Sequence, residues 1–340
     1  MDPATQAVIE VSDLVKVYGE TRAVDDVSFE VDRGELFGFL GPNGAGKTTT
    51  IRILSTLLKP TSGGARVAGH DVVAEPGEVR KRLGLAMQTA TLDAFSTGRE
   101  TLELAGRLHR MPPREIKRRT DELLQLMGLE AAAKKLTGTY SGGMKRRLDL
   151  ATALMHRPEV LILDEPTEGL DPQSRTALWE ELERINAEGT TMLLTTHYME
   201  EADRLCSRLA IIDEGRVVVE GRPEALKAAV GADTVVLQVG RSPDADGAQG
   251  SAEDARKTEF CTLLDGMVPC EAVAAHDGSV TLAVADASAA IPGLLRRLDG
   301  HGLDITGLQM SRPSLDDVFL QYTGRHIREE AADQPIIMGF

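Results

Sequence analysis

A glycine-rich loop followed by lysine and threonine is the feature of this sequence that most directly indicates chemistry. Gly41, Gly44 and Gly46 have no side chains, so the loop backbone can curl until its N–H groups converge on phosphates. Lys47 would neutralise the β and γ phosphates of a nucleotide, and the Thr48 hydroxyl would ligate Mg²⁺. The loop residues that we expect to contact the nucleotide are Gly41, Pro42, Asn43, Gly44, Ala45, Gly46, Lys47, Thr48 and Thr49.

The segments on either side of this loop are the ones that phosphate binding requires. Residues 35–40 form a short apolar run that predicts a strand, and residues 49–54 predict a helix. In the order strand, glycine loop and helix, the positive end of the helix points at the bound phosphates. These flanks disfavour the alternative interpretation, which is a glycine-rich turn that binds nothing.

Two consecutive carboxylates follow a second apolar run. Residues 160–163 predict a strand that is buried on both faces, and Asp164 and Glu165 come directly after it. Ligands bind at the carboxyl ends of strands in open α/β sheets, so Asp164 is placed to hold Mg²⁺, directly or through its water. Glu165 is placed to polarise a water molecule for attack on the γ-phosphate. The alternative is a strand end that is acidic by chance, which the phosphate loop in the same chain disfavours.

The elements around these residues predict an α/β domain. From residue 8 to about residue 221, short apolar runs alternate with longer helical patterns, which is typical of a sheet with helices packed around it. Residues 192–194 predict another strand buried on both faces. Residues 174–188 carry apolar side chains at helical spacing and predict a helix between these two strands.

A helical lobe is predicted inside this first domain, which we place at residues 1–225. Residues 99–129 are rich in leucine and arginine and are interrupted by Pro112 and Pro113. The lobe extends over about residues 89–150, between the phosphate loop and the later strands.

The composition changes after about residue 226, which indicates a second domain. Residues 226–325 predict a small α+β domain of the split β-α-β, ferredoxin-like type, with a loop at 241–251. A mobile tail, residues 326–340, is expected to follow. The strands expected in the second domain are 234–239, 271–275, 279–284 and 305–309, and the helices are 252–264 and 288–298.

Length, charge and cysteine content limit the classes of protein to which this chain can belong. The 340 residues suffice for about two domains, and the net charge of −15 disfavours nucleic acid as a partner, since phosphates would be repelled. No apolar stretch approaches the ~20 residues that span a bilayer and no secretory signal opens the chain, so we expect a soluble, cytosolic subunit. Cys206, Cys261 and Cys270 lack close metal-ligand spacing and indicate reduced thiols.

The motifs, taken in order, resemble those of the ABC-type ATPases over residues 8 to about 221. The segment Tyr140-Ser141-Gly142-Gly143-Met144 is similar to the signature loop of that family and precedes the Asp164 strand at the usual distance. The elements that match in order are Tyr18, the phosphate loop, Gln88, Ser141-Gly142-Gly143, Asp164-Glu165, Gly169-Leu170-Asp171 and His197.

This resemblance implies ATP and Mg²⁺ as the ligands and a role for each matched residue. Tyr18 would stack on the adenine ring, and His197 would contact the γ-phosphate. Gln88 would contact Mg²⁺ or the attacking water and connect the site to the helical lobe. Asp171 would lie along an interface between two nucleotide sites. Each residue alone has a simpler explanation: packing for the tyrosine, a solvated face for the glutamine and a structural role for the histidine.

The signature loop indicates a second copy of the chain. Ser141 can donate its hydroxyl, Gly142 and Gly143 allow close backbone approach, and the helix that follows points its positive end at an anion. The phosphate loop already covers one side of the nucleotide, so this second anion site is best explained if it binds the ATP held by another copy. The chain has one such domain, and we therefore expect a homodimer. Tyr140 and Met144 depart from the Leu and Gln that are usual in the family.

The segment from Pro313 to Leu320, followed by Tyr322-Thr323-Gly324, resembles the daunorubicin-resistance subgroup of bacterial drug exporters. An ordinary amphipathic helix capped by Ser314 is the simpler reading of that segment taken alone. The resemblance implies an ATP-hydrolysing subunit that drives a membrane-spanning permease on a separate chain, at the cytoplasmic face of the membrane. The alternative is a soluble regulatory or nucleic-acid-associated ATPase of the same fold.

Overall fold

The computed structural model describes residues 7–89, 92–239, 273–276, 279–284, 286–299 and 305–324. The chain forms two compact units, one containing the residues up to Pro223 and those from Phe319, the other Glu224–Val318. The loop expected at 241–251, the helix at 252–264, the tail at 326–340 and two of the cysteines, Cys261 and Cys270, lie outside the described residues. Cys206 is a buried thiol.

The strands and helices of the first unit alternate along the chain. The strands are β1 Ala7–Tyr18, β2 Thr21–Asp32, β3 Leu36–Leu40, β4 Ser62–Val67, β5 His70–Asp71, β6 Leu83–Ala86, β7 Val160–Asp164, β8 Thr191–Thr196, β9 Arg208–Asp213 and β10 Arg216–Gly221. The helices are α1 Lys47–Leu54, α2 Pro76–Arg82, α3 Gly98–Leu108, α4 Pro113–Leu126, α5 Gly142–Ala153, α6 Pro172–Ala187 and α7 Met199–Leu205. Helix α8, Pro223–Val230, follows them.

The main sheet of this unit has the strand order β10-β9-β3-β8-β7-β6. Strand β3 is parallel to both β8 and β9, and β7 is parallel to both β6 and β8, while β10 pairs with β9 in the antiparallel sense. Every residue of β3, β7 and β8 is buried, as their continuous apolar runs predict. The carboxyl ends of these three parallel strands therefore meet at one edge of the sheet.

A second, antiparallel sheet with the order β2-β1-β4-β5 completes the unit. Alternation of strands and helices predicts one sheet and does not reveal this one, because β1 and β2, and likewise β4 and β5, are consecutive antiparallel strands with no helix between them. Phe29 of β2 packs its ring 5.5 Å from Phe37 and 5.1 Å from Phe39, both of β3. The two sheets thus share one apolar core.

The ends of the elements follow local capping chemistry. Helix α1 begins at Lys47, two residues before the predicted helix, because Gly46 at φ 102° turns the loop directly into it. Helix α6 begins at Pro172, where the Asp171 side chain accepts from the backbone N–H of Ser174 and caps the helix.

The helical lobe consists of α3, α4 and α5. Helix α3 starts with a capping box in which Thr97 and Glu100 bond each other's backbone N–H groups. The break predicted at Pro112-Pro113 is present, and α4 begins with Pro113 as its first residue. None of the helices in the described part of the chain has the length and apolarity needed to span a membrane.

The described part of the second unit contains an antiparallel sheet and the helix that was predicted at residues 288–298. Its elements are β11 Asp233–Val239, β12 Val273–His276, β13 Ser279–Val284, α9 Ala287–Asp299, β14 Ile305–Ser311 and the beginning of α10 Leu315–Thr323. The strand order is β12-β13-β11-β14, with all neighbours antiparallel. Val235, Leu237, Leu282 and Leu294 form its core. This order is that of a split β-α-β domain, so the predicted fold class is confirmed.

Candidate active site

The glycine loop connects β3 to α1 in a conformation that other residues would not tolerate at two positions. A Cβ on Gly46, whose φ is +102°, would lie 2.4 Å from the carbonyl oxygen of Ala23. A Cβ on Gly41 would lie 2.2 Å from the carbonyl oxygen of Ile212. The glycines therefore let the loop pass close to neighbouring strands while its backbone N–H groups remain available for an anion.

Lys47 is buried at the centre of the loop. Its Nζ donates to the carbonyl oxygens of Gly41, at 2.7 Å, and Pro42, at 2.9 Å, and lies 3.5 Å from Oε1 of Glu165. Burial lowers the pKa of Lys47, while the charge of Glu165 opposes that shift. The ammonium group is thus held within the loop beside the carboxylate that follows β7.

Asp164 joins the end of β7 to the phosphate loop. Its Oδ1 accepts from Thr195 Oγ1 at 2.6 Å and from Thr48 Oγ1 at 3.2 Å. Its Oδ2 is buried and accepts no hydrogen bond from the residues that the structure describes. A buried carboxylate oxygen without a partner, next to a threonine hydroxyl, is a donor set that suits Mg²⁺.

Glu165 follows in a left-handed backbone conformation, at φ +46°, which is uncommon for a non-glycine residue. Its backbone N–H donates to the carbonyl oxygen of Thr195 at 3.1 Å, and its Oε1 lies 3.4 Å from Nδ1 of His197. Burial alone would raise the pKa of Glu165, but His197, Glu168 and Lys47 outweigh it and lower the pKa to about 2. The carboxylate is therefore ionised at neutral pH.

Gln88 reaches the site through a residue that was not predicted. Its Nε2 donates to Oε2 of Glu168, whose backbone N–H donates to the carbonyl oxygen of Glu165 at 3.2 Å. Burial and the nearby Glu165 carboxylate raise the pKa of Glu168. Glu168 belongs to no motif, although its place in the turn after Glu165 could have marked it as a neighbour.

Tyr18 and Ser141 lie on the surface and away from these contacts. The Tyr18 ring, at the end of β1, is 46% exposed, and Nζ of Lys16 lies 5.2 Å from its centre. Ser141 caps α5 by accepting from the backbone N–H of Met144 at 3.3 Å. Hydrogen bonds and close charged-group contacts among the described residues thus bring together Lys47, Thr48, Asp164, Glu165, His197 and Gln88, and neither Tyr18 nor Ser141 is among them.

The signature loop and Asp171 meet at Ser174. Asp171 accepts from the backbone N–H and the hydroxyl of Ser174, at 3.0 Å and 2.6 Å. A Cβ on Gly143 would lie 2.9 Å from the same hydroxyl oxygen, whereas a Cβ on Gly142 would meet nothing within 4 Å. The N-terminal ends of α5 and α6 therefore lie side by side.

Comparison with known proteins identifies the family. Residues 24–168 match the family described as ABC transporter, and residues 221–323 match the C-terminal domain of DrrA1-3-like ATP-binding proteins. A daunorubicin resistance ATP-binding protein of Streptomyces coeruleorubidus is 42% identical over 327 residues, which are 95% of this chain and 98% of that protein. The chain belongs to the ATP-binding subunits of ABC transporters. A Nod factor export ATP-binding protein of Ralstonia nicotianae is 39% identical over 332 residues, 95% of each chain.

Solved structures agree with this assignment. An ATP-binding subunit of an ABC transporter has 33% identity and a TM-score of 0.60, over 65% of this chain and 92% of its own. A dimeric ATP-binding cassette bound to ADP and phosphate has 27% identity and a TM-score of 0.58, over 63% of this chain and 98% of its own. The chain is therefore an ATPase and the ATP-binding subunit of an ABC exporter, which confirms the family, the subgroup and the activity predicted from the motifs. ABC ATPases in general act as dimers with membrane permeases.

In this ABC ATPase, Tyr140 stands where a leucine is usual in the signature loop, and its side chain packs inside the helical lobe. Its hydroxyl is buried and donates to the carbonyl oxygen of Ala132 at 2.8 Å. A Cβ on Gly98, the first residue of α3, would lie 2.2 Å from that hydroxyl oxygen. Tyr140 therefore fixes the start of α3 to the rest of the helical lobe.

Arg146 connects the signature helix of the ABC ATPase to the active site, and it was not predicted to do so. Its Nε donates to the carbonyl oxygen of Pro166 at 2.7 Å, its Nη2 to that of Asp164 at 3.0 Å, and its Nη1 to that of Met87. The guanidinium thus joins α5 to the segments that follow β7 and β6. Its Nη1 also lies 3.4 Å from Oδ2 of Asp149 in the same helix, but the three carbonyl contacts with other segments have no local sequence pattern.

Proposed function

We propose that this subunit pairs with a second copy of itself and powers a separate membrane-spanning permease that exports a drug or another lipophilic compound. The observation that carries the proposal is the convergence of Lys47, Asp164, Glu165 and His197 at the carboxyl ends of parallel strands. Hydrolysis of a nucleoside triphosphate requires three groups at one place: a cation for the phosphates, an oxygen that binds the metal ion and a carboxylate that activates water.

The loop residues bind the phosphates of ATP, and Tyr18 stacks on the adenine ring. Thr48 and Asp164, with Gln88, would hold Mg²⁺, and the partnerless Oδ2 of Asp164 supports this assignment. When bound, Mg²⁺ would neutralise charge on the phosphate oxygens. The Gln88 amide has Glu168 as its partner and must leave it to reach the metal.

Glu165 accepts a proton from the attacking water, which requires the ionised carboxylate that its lowered pKa maintains. His197, 3.4 Å from that carboxylate, contacts the γ-phosphate and keeps Glu165 in place. Lys47 neutralises the β and γ phosphates. Lys47 Nζ lies 3.5 Å from Glu165 Oε1, which indicates that the phosphates and the attacking water are held within a few ångströms of each other.

The second copy supplies Ser141, Gly142 and Gly143 to the nucleotide. Ser141 and Gly142 are exposed at the N-terminus of α5 and make no contact with the phosphate loop of their own chain among the described hydrogen bonds. A helix N-terminus with exposed glycine is suited to an anion. Asp171, at the start of the neighbouring helix α6, would lie on the same interface.

The permease contacts the helical lobe. Phe95 is 86% exposed and Leu108 on α3 is 75% exposed, so both offer apolar surface that a partner protein could cover. A cavity of about 790 Å³ lies between α3 and α4, with Met111 and Ile116 among its apolar lining residues. Motion of the lobe, which Gln88 and Arg146 connect to the nucleotide site, would then reach the permease.

The cargo is selected by the permease and not by this chain. The relatives carry different cargoes in their names, daunorubicin and Nod factor, although both resemble this chain over 95% of its length. We place the subunit at the cytoplasmic face of the membrane as a peripheral protein. We also place the boundary of the ATPase domain near residue 225 and assign residues 226–325 a role in stabilising the dimer, with regulation as the second possibility.

Co-purification from membranes tests the transport proposal. The full chain is expressed with and without a candidate permease, and the membrane-bound fraction of the subunit is measured. We expect the bound fraction to fall to background without the permease. A subunit that stays soluble in both cases, or that co-purifies with nucleic acid, would support the alternative of a soluble regulatory ATPase.

A further inference from the structure

Two contacts of the Tyr198 ring connect His197 to helix α6: one with the His197 ring and one with Arg175 of α6. The rings of His197 and Tyr198 have centroids 4.1 Å apart at an angle of 40°. Cζ of Arg175 lies 4.6 Å from the centre of the Tyr198 ring. Arg175 belongs to the first turn of α6, where its backbone N–H donates to the carbonyl oxygen of Asp171 at 2.9 Å.

The Arg175 guanidinium packs over the Tyr198 ring. Within the part of the chain that the structure describes, Arg175 forms no ion pair, and its Nε is buried without a hydrogen-bond partner. A guanidinium over an aromatic ring gains from the negative face of that ring, most of all when water is excluded. The contact therefore restricts both side chains.

Glu201, a buried carboxylate on α7, joins α6 to the segment after β7. Oε1 of Glu201 accepts from Thr167 Oγ1 at 2.8 Å and from Trp179 Nε1 at 3.0 Å. Burial raises the pKa of Glu201, and the positive charge of Arg175 is among the influences that oppose this. Arg175 therefore contacts the Tyr198 ring and is near enough to this carboxylate for its charge to act on it.

We propose that Arg175 and Tyr198 are positioning residues that hold the His197 ring beside Glu165 and make its position depend on the start of α6. This inference rests on the proposed roles of His197 and Glu165 and extends them. The imidazole packs on the Tyr198 ring, which limits rotation of its side chain while Nδ1 stays 3.4 Å from Glu165. Any displacement of the segment around Asp171 would move Arg175 and, through the two rings, His197.

The inference predicts a change in turnover without a change in nucleotide affinity. Tyr198→Leu removes the ring, and we expect kcat for ATP to fall about 10- to 100-fold with KM within about two-fold of wild type, because misplacement near the reacting groups costs rate. Tyr198→Phe keeps the ring and should retain most of the turnover. Arg175→Met should lower kcat about three- to ten-fold, and Arg175→Lys, which keeps a cation over the ring, should restore part of it.

A double-mutant cycle separates positioning of His197 from general support of the fold. In a His197→Ala background, Tyr198→Leu and Arg175→Met should each change kcat by less than about two-fold, since there is no imidazole left to position. Equal losses in both backgrounds, or loss of turnover in Tyr198→Phe, would overturn the inference. Binding of a fluorescent ATP analogue to each variant reports folding, and the two arginine variants decide the matter if Tyr198→Leu is unfolded.

The same experiment distinguishes failure of the proposed function. Absence of ATP turnover in the wild-type protein with its permease, or full turnover in His197→Ala, would overturn the proposed roles themselves. Normal behaviour of those two proteins together with unchanged kcat in Tyr198→Leu and Arg175→Met would overturn the positioning inference alone.

Discussion

Thr48 donates its hydroxyl to Asp164 Oδ1 at 3.2 Å, and this bond joins the phosphate loop to the end of β7. Thr48 lies in α1, which follows β3, and Asp164 ends β7; in the sheet these two parallel strands are separated by β8 alone. The remaining oxygen of Asp164 has no described hydrogen-bond partner in spite of its burial. Such a carboxylate loses hydration without compensation, and a bound cation would supply the missing interaction.

Asp164→Asn should make nucleotide binding insensitive to Mg²⁺. The amide keeps the size of the side chain but is a weaker metal ligand, so the wild-type gain in affinity on adding Mg²⁺ should fall by about ten-fold or more. Titration of a fluorescent ATP analogue with Mg²⁺ and with a chelator measures this gain. Equal Mg²⁺ dependence in the variant and the wild type would remove Asp164 from the metal site.

Glu165→Gln should bind ATP and fail to turn it over. The amide cannot take a proton from water, so we expect kcat to fall at least about 100-fold while the affinity for ATP changes little. With ATP present, the variant should elute as a dimer in size-exclusion chromatography. Glu180→Gln, at an exposed position of α6, is the matched control and should behave as wild type. Undiminished turnover in Glu165→Gln would contradict the assignment.

Gly46→Ala should abolish nucleotide binding, because the new Cβ would lie 2.4 Å from the Ala23 carbonyl oxygen at a φ of +102°. Gly44→Ala is the matched control: its φ is +85°, but nothing lies within 4 Å of its Cβ. It should lose only about 1–2 kcal/mol through backbone strain. Thermal melting and ATP-analogue binding of both variants separate steric collision from strain, and equal losses in both would show that strain alone is responsible.

Much of the site was predictable from the sequence, because its central residues lie in two contiguous motifs next to apolar runs. The glycine loop and Asp164-Glu165 each mark their own strand end, and parallel strands bring such ends to one edge. The fold class followed from the same alternation of strands and helices.

The site residues that the sequence did not predict owe their contacts to which strands and helices become neighbours in the fold. Thr195 donates to Asp164 because β8 lies next to β7, and a single sequence does not state that order. Arg146 is one of two arginines in its helix, and three of its acceptors are carbonyls of distant segments. Tyr198 and Arg175 meet only because α6 and α7 pack together. Such residues carry no motif, since their chemistry arises from tertiary contact.

Arg146→Met should destabilise the ATPase unit by about 3 kcal/mol, because it leaves buried carbonyl acceptors without donors. For a domain of this size that corresponds to a fall in Tm of roughly 6–12 °C. Arg147→Met is the matched control, since the neighbouring arginine donates to one described acceptor, the Met127 carbonyl oxygen, at 2.9 Å. Its Tm should fall much less. Similar Tm values for the two variants would show that Arg146 does not hold α5 to the strand ends.

A stacked histidine pair predicts that stability falls in mild acid. The rings of His109 and His156 are 3.8 Å apart and nearly parallel, and His156 Nε2 lies 3.1 Å from the Leu83 carbonyl oxygen. Burial, together with the neighbouring His109 and Arg119, lowers the pKa of His156 to about 4. The unfolded chain binds this proton near pH 6.5. Between those values the unfolded state holds more protons, so the stability contributed by neutral His156 is lost as the pH falls from about 6.5 to about 4.

The difference between wild type and His156→Gln isolates this contribution. Burial raises the pKa of Asp149 to about 6, against the effect of Arg146, so Asp149 protonates more readily in the folded state and favours folding as the pH falls. The effect of Asp149 is the same in wild type and in His156→Gln. The glutamine can still donate to the Leu83 carbonyl oxygen, but it does not titrate. Tm measured at pH 7.5 and pH 5 should therefore fall further in wild type than in His156→Gln. An equal fall in both would mean that His156 takes up its proton without disturbing the folded state.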